Sequence, residues 1–328
     1  MPAGFGPIAG LKIGHAQDDR ALTGCTVLLA EGGMVAACEV RGGAVGEREL
    51  ETLRPGHLVE RIHALVFAGG SAFGLDAAAG VMRWCEERGI GFDTGVARIP
   101  IVPAAILFDL RIGYPQCRPD AAMGYAAAQA AARAKAGARV AEGNVGAGTG
   151  CTAGKLFGIA RATKAGIGCW TEDLRIGKTA RRSVRVAALA AVNAFGDVRD
   201  PDSGRIIAGA RRSATSRQFV DTAAAMRQGA ARTGFADPNT VLVAVATDAL
   251  LTRIEAQRLA AMASAGMARA LSPAHTTFDG DIVFALSLGR AKADLNALGA
   301  AAAEAVARAI VRGVTQARSA GGVLAVRG

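Results

Sequence analysis

Asn239-Thr-Val-Leu-Val-Ala-Val-Ala-Thr-Asp-Ala-Leu250 and Asp279-Gly-Asp-Ile-Val-Phe-Ala-Leu-Ser287 bracket the segment around which the chain is organised. Val241 to Ala246 is an unbroken apolar run bounded by Asn239 and Asp248, which predicts a strand buried on both faces. From Thr252 to Leu271, Ile254, Leu259, Met262, Met267 and Leu271 recur at helical spacing, with Glu255 early in the run. Beyond Pro273, Ile282 to Leu288 reads as a second buried strand. Two parallel strands joined by a helix begin at the same edge of their sheet. Thr240, Asp279 and Asp281 are therefore expected together at that edge.

This grouping suggests a chemistry. The hydroxyl of Thr240 can attack the Asn239-Thr240 bond if the backbone is strained. The N→O shift and hydrolysis would leave Thr240 as a new N-terminus. A threonine hydroxyl is a weak nucleophile, and an adjacent N-terminal amine can serve as its base. The ordinary pKa of such an amine lies near neutrality. Asp279 and Asp281 would hold the ammonium and hydroxyl by charge-assisted hydrogen bonds. The same residues also fit a strand cap followed by a solvated Asp-Gly-Asp turn. Spacing alone leaves both readings open.

Further motifs occur in order along the chain. They are Gly14-His15 with Thr23-Gly-Cys-Thr-Val27, Phe67-Ala-Gly-Gly-Ser-Ala-Phe-Gly-Leu-Asp76 and Pro100-Ile-Val-Pro103. Gly143-Asn-Val-Gly-Ala-Gly-Thr-Gly150, Lys164-Ala-Gly-Ile-Gly168 and Val192-Asn193 follow, before Asn239-Thr240 and Asp279-Gly-Asp281. With these motifs the chain resembles the DmpA-type L-aminopeptidase/D-esterase family of self-cleaving N-terminal-nucleophile hydrolases. The Asn-Thr cut with two aspartates is most similar to its endo-type nylon-oligomer (6-aminohexanoate-oligomer) hydrolase branch.

The resemblance implies an α/β fold, a four-layer α-β-β-α sandwich shared with the ornithine acetyltransferases. It implies a single domain over 1–328, cut into a larger chain (1–239) and a smaller one (240–328). Thr240 would be the nucleophile, Asn193 an oxyanion donor, and Lys164 a neighbour keeping the pocket electropositive. Asp279 and Asp281 would position the nucleophile, and no metal or organic cofactor would be needed. The substrate would be a small peptide or oligoamide, and the assembly a homo-oligomer of processed heterodimers, with a tetramer suspected. The family's pocket tyrosine has no clear counterpart, since the matching segment reads Leu107-Phe108-Asp109-Leu110 and Tyr114 lies further on. An acyltransferase of the ornithine-acetyltransferase kind is a second reading. A non-catalytic nucleotide-binding protein using Gly143–Lys155 is a third.

Composition narrows these alternatives. A hydrophobic content of 51% with only 5% aromatics indicates a core of Ala, Val, Leu and Ile. The net charge of +10 comes from scattered arginines without interleaved aromatics, so a nucleic-acid partner is not expected. Cysteines 25, 38, 85, 117, 151 and 169 include no Cys-x-x-Cys pair and read as free thiols in a reducing compartment. Histidines 15, 57, 63 and 275 lack metal-ligand spacing. No signal-peptide layout or membrane-length apolar run is found, so a cytoplasmic protein without a membrane partner is expected.

Elsewhere the patterns predict strands Cys25–Ala30 and Met34–Val40 around a Glu31-Gly-Gly33 hairpin turn. A glycine-rich loop at 42–53 reads as lying near a site, and Ile62–Ala68 as a buried strand. A helix over Phe73–Arg88 should bury Leu75, Ala78, Ala79, Met82 and Cys85. Gly69-Gly-Ser71 before it could bind an anion or simply allow close packing. Ile99–Leu110 reads as an irregular or edge segment, and Asp120 as the cap of a helix ending near Gly137. Gly143–Lys155 fails the Walker spacing and suits an active-site wall, with strand-like alternation over Lys155–Ala160. Val184–Val192 reads as a strand, 211–238 as a partly flexible segment before the cut, and Lys292–Val314 as an amphipathic helix.

Overall fold

The computed structural model describes residues 4–135, 138–176, 182–230 and 239–327. Its main strands are β1 (Lys12–Asp18), β2 (Thr23–Val40), β3 (Arg61–Ala68), β4 (Ala104–Ile106), β5 (Ile167–Ile176), β6 (Arg182–Asn193), β7 (Thr240–Ala249) and β8 (Ile282–Ala291). The long helices are α1 (Ala77–Glu86), α2 (Ala121–Arg133), α3 (Arg253–Ala270) and α4 (Leu295–Thr315). Among the described residues, these strands and the short edge strand Glu47–Arg48 form one nine-stranded sheet. Its order is β5-β6-β7-β8-β2-β3-β4-edge, with β1 paired to the first half of β2.

The β7-α3-β8 unit forms as its sequence predicts. The β7 strand lies antiparallel to β6 and parallel to β8, and both its faces are covered. That double covering is why its apolar run does not alternate. Helix α3 starts at a capping box. Thr252 Oγ1 accepts the Glu255 N–H, and the Glu255 carboxylate accepts the Thr252 N–H. Such a cap contributes about 1 kcal/mol. It fixes where the crossover leaves the sheet, and so where β8 re-enters beside β7.

The sheet folds over on itself through β2, giving a four-layer α-β-β-α sandwich. Phe67 of β3 sits opposite Thr26, and Phe284 of β8 opposite Cys38. The chain from 26 to 38 would span about 40 Å if straight, yet the two rings lie 5.7 Å apart. A bend must therefore lie between them. The pairing of β2 with β3 shifts register between Leu29 and Met34, and Gly33 adopts a φ of +74°. Glu31-Gly-Gly33, expected as a hairpin turn, is thus a bulge within one continuous strand. On β3, Ala64, Val66 and Ala68 pack toward α1 and α2, while Leu65 and Phe67 face the inter-sheet core. Helices α3 and α4 cover the far side.

Two other expectations need correction. The segment Ser71–Asp76 is a 3-10 helix, and α1 begins only at Ala77. Its tighter winding shifts the helical phase, so Gly80, Val81 and Trp84 are buried beside Ala78 and Cys85, while Leu75, Ala79 and Met82 are half-buried. Lys155–Ala160 is a turn leading into a short 3-10 helix rather than alternating strand. The Asp120 carboxylate caps α2 as expected by accepting the Met123 N–H. In the segment 211–238, Arg211 bridges to Phe219 and Thr222–Arg227 is helical. Residues 231–238, like Gly137, lie outside the described residues. No described helix is long and apolar enough to cross a membrane.

Candidate active site

Thr240 opens β7 at the edge where β8 also begins, and it is buried there. Its hydroxyl donates to the Asn239 carbonyl at 2.5 Å. The same carbonyl accepts the Gly280 N–H at 2.7 Å, and Asn239 donates its own N–H to Phe278 at 2.9 Å. Val241 donates its N–H to Asp281 Oδ1 at 2.8 Å. The backbone on both sides of the Asn239-Thr240 bond is thus laced to the turn at 278–281. Gly280 is required by the closeness: a Cβ there would stand 2.7 Å from Thr240 Oγ1 and 2.5 Å from the Ala44 carbonyl oxygen. The loop expected near a site begins here, with Ala44 donating to the Asp279 carbonyl and Arg41 to that of Asp281.

Both carboxylates are buried and surrounded by donors. Asp279 Oδ2 accepts the Thr276 N–H at 3.0 Å and its hydroxyl at 2.6 Å, and Oδ1 accepts the Phe195 N–H at 3.3 Å. Burial, reinforced by the charge of Asp281, pushes the Asp279 carboxyl up to about 6. Asp281 Oδ2 faces the N–H of His275 at 3.2 Å and its ring Nδ1 at 2.9 Å.

Asn193 ends β6 directly opposite Thr240 in the β6–β7 ladder. Its Oδ1 accepts the Thr152 N–H at 3.2 Å and the Lys155 ammonium at 2.6 Å, while its Nδ2 donates to the Phe108 carbonyl at 2.9 Å. Lys155 is buried and also donates to the Asn193 carbonyl at 3.1 Å. Through Thr152 and Lys155 the glycine-rich segment 143–155 is thus bonded to Asn193, the residue opposite Thr240. Most of its N–H groups are already used, Gly146 donating to Gln17 and Ala147 to Thr26, and its lysine bonds Asn193.

Lys164, assigned by resemblance a place beside Thr240, is buried in a cage of carbonyls. Its ammonium donates to Ala165 at 2.6 Å, Cys151 at 2.9 Å and Gly148 at 3.4 Å. Burial lowers its pKa to about 8. Among the described residues no hydrogen bond joins it to Thr240, and Lys155 is the lysine bonded to Asn193. Phe108 lines a small pocket with Asp109, Gly150, Thr152 and Lys155, whereas Tyr114 is 65% exposed. The turn at Gly69–Ser71 packs closely against the Asp109 carboxyl, and a Cβ at Gly69 would stand 2.0 Å from its Oδ2. Asp109 accepts the Gly70 N–H at 2.7 Å and the Thr23 hydroxyl at 2.7 Å, and burial pushes its carboxyl up to about 6.

Sequence reasoning missed Lys155, Asp109, His275 and Thr276. Lys155 closes a segment whose glycines suit an active-site wall and whose lysine carries no spacing signal of its own, and His275 has only the absence of metal-ligand spacing to report. Their one signal was proximity to motifs already noted.

The profile of Peptidase family S58 matches residues 7–326. The chain belongs to peptidase family S58. A Mycobacterium tuberculosis relative, named as an uncharacterized aminopeptidase, is 40% identical across 96% of this chain and 94% of its own length. The 6-aminohexanoate-oligomer endohydrolase of Agromyces sp. is 30% identical across 92% of this chain and 83% of its own. Among solved structures, a Burkholderia sp. beta-aminopeptidase matches with a TM-score of 0.68 at 21% identity, covering 100% of this chain and 92% of that one. The L-aminopeptidase D-Ala-esterase/amidase of Ochrobactrum anthropi, described as a variant of the Ntn hydrolase fold, also matches at 0.68, with 19% identity and coverage of 97% and 89%. The fold is therefore that of the N-terminal-nucleophile hydrolases. S58 membership makes the chain a hydrolase of amide bonds.

Proposed function

We propose that this S58 chain is a precursor that cuts itself between Asn239 and Thr240 and then works as an N-terminal-threonine amide hydrolase. The observation carrying this reading is that one carbonyl, that of Asn239, receives both the Thr240 hydroxyl and the Gly280 N–H. In the self-cleavage, Thr240 Oγ1 adds to the Asn239 carbonyl carbon and the C–N bond breaks, leaving an ester. Water then hydrolyses the ester, freeing the Asn239 carboxylate and the Thr240 amine. The Gly280 N–H supports the charge that develops on the oxygen, a kind of contact typically worth about 3–4 kcal/mol in the transition state.

In the processed enzyme, the new α-amine accepts the proton of Oγ1 as the hydroxyl attacks a substrate amide. The proton passes to the departing amine, and water releases the acyl group. Asp279 and Asp281 hold the amine and the start of β7. Asn193 supplies an amide N–H beside the oxyanion, with Lys155 fixing its orientation. Small peptides and linear oligoamides are the substrates this reading favours, because relatives include proteins named as an aminopeptidase and as an oligoamide endohydrolase.

The test is intact-mass analysis and N-terminal sequencing of freshly purified protein beside Thr240→Ala, followed by assay of an amide panel. Two fragments, the smaller beginning at Thr240, are expected from the wild type alone. A stable wild-type chain indistinguishable from the variant would remove Thr240 as the nucleophile.

A further inference from the structure

We infer that His275 is a positioning residue for this centre: its imidazole sets the orientation of Asp281 and, through Asp281, the backbone of the nucleophile. The inference rests on the proposed role of Thr240. Asp281 spans two tasks with its two oxygens. Oδ1 receives the N–H of Val241, the residue directly after the nucleophile, at 2.8 Å. Oδ2 receives the N–H of His275 at 3.2 Å and lies 2.9 Å from its Nδ1. A carboxylate held at one oxygen alone can swing about its terminal torsion, which is broad. The His275 N–H and the ring together tie down the second oxygen, the ring by the shorter contact, so the first stays aimed at Val241. Because the backbone donors already make Asp281 an acceptor, the ring proton of a neutral His275 belongs on Nδ1.

The backbone at this position gives a second, independent observation. His275 has a φ of +56°, in the left-handed region that glycine enters without cost and other residues rarely adopt. A histidine held there needs a compensating contact, and the described partner of its ring is Asp281. The next residue repeats the arrangement for the other carboxylate, with Thr276 donating both its N–H and its hydroxyl to Asp279 Oδ2. Consecutive side chains thus orient the two buried carboxylates. The His275 side chain remains 22% exposed whereas that of Asp281 is 1% exposed, so the ring closes the centre on its outer side.

The test compares His275→Ala and His275→Asn with the wild type as full-length chains. Asparagine tolerates the left-handed backbone, and its amide N–H can stand in for the Nδ1 donor. Self-cleavage is timed by intact mass, and kcat and KM are then measured on an amide the wild type hydrolyses. His275→Ala is expected to slow cleavage and lower kcat by about 10- to 100-fold with KM changed less than about threefold, as for a misplaced reacting group. His275→Asn should recover most of that loss. Wild-type rates in His275→Ala would overturn the inference. Equal impairment of the two variants, with unchanged melting temperatures, would also overturn it, because the donor would not be what matters. If His275→Ala does not fold, near-wild-type cleavage and kcat in His275→Asn support the role, and a folded but impaired His275→Asn refutes it. A wild type that neither cuts nor hydrolyses is a separate result: it removes the nucleophile reading itself, and this inference with it.

Discussion

Gly280→Ala probes the proposed chemistry at its tightest point. The added methyl would stand 2.5 Å from the Ala44 carbonyl oxygen and 2.7 Å from Thr240 Oγ1, against 3.4 Å for the near limit of ordinary contact. The hydroxyl can rotate away, but only by leaving the Asn239 carbonyl that it must attack. The Ala44 oxygen belongs to the backbone, so relief there requires residue 280 to retreat by about 0.9 Å. A shift of that size stretches the 2.7 Å bond from the Gly280 N–H to the Asn239 carbonyl beyond useful length. Losing one such donor costs about 100- to 1,000-fold in rate, and a misplacement near 1 Å costs about 100-fold by itself. The two effects overlap, so a fall of about 100- to 1,000-fold in the self-cleavage rate is expected. The assay is a time course of precursor and fragments by intact mass after rapid purification, with circular dichroism confirming the fold. Cleavage within about threefold of wild type in a folded Gly280→Ala chain would refute the role given to this N–H and to the close approach.

Three further outcomes follow from the same site. Asp279 accepts three donors in the uncut chain, a role that suits its ionised form; with its carboxyl raised to about 6 by burial and by Asp281, the self-cleavage rate should fall by up to about tenfold per pH unit below that value. In Asp279→Asn that acid limb should disappear, together with much of the cleavage at neutral pH, as a pH–rate profile of self-cleavage in both proteins would show. Lys155→Met should lower kcat by about 10- to 100-fold with little change in KM, because Asn193 loses its 2.6 Å charge-assisted bond; a change confined to KM would count against the orienting role. Lys164 makes a prediction about stability. Its folded pKa of about 8 lies below the ordinary 10.5, so in that window the unfolded chain keeps a proton that the folded chain has released. Unfolding then takes up a proton, and stability gains up to about 1.4 kcal/mol per pH unit as pH rises from about 8. Denaturation of wild type and Lys164→Met across this range should show the extra slope only in the wild type.

The parts of the site legible in the sequence are those fixed by a single continuous unit. Unbroken apolar runs at 241–246 and 282–286, a helically spaced segment between them and the rule for parallel crossovers together place Asp279 and Asp281 beside Thr240. Lys155, Asp109 and His275 depend on how separate segments meet, and no periodicity reports that. His275 carries its information in a left-handed φ and a side-chain rotamer, neither of which is written in residue type. Glu31-Gly-Gly33 shows the converse. Two glycines between apolar runs are a fair hairpin signal, but a bend that keeps pairing with β3 on both sides uses the same residues. What decides between them is the packing of Phe67 on Phe284, a contact between strands far apart in the chain.

The strand order also governs what can happen to the protein after a cut at residue 239. The strands of the smaller piece, β7 and β8, lie in the interior of the sheet, seated between β6 on one side and β2 on the other, both from the larger piece. Neither fragment then has a complete sheet of its own, and withdrawing one opens two hydrogen-bonded seams at once. Dilution should therefore not release the fragments, and no exchange of small chains between molecules is expected under native conditions. Separating them and unfolding them become a single event.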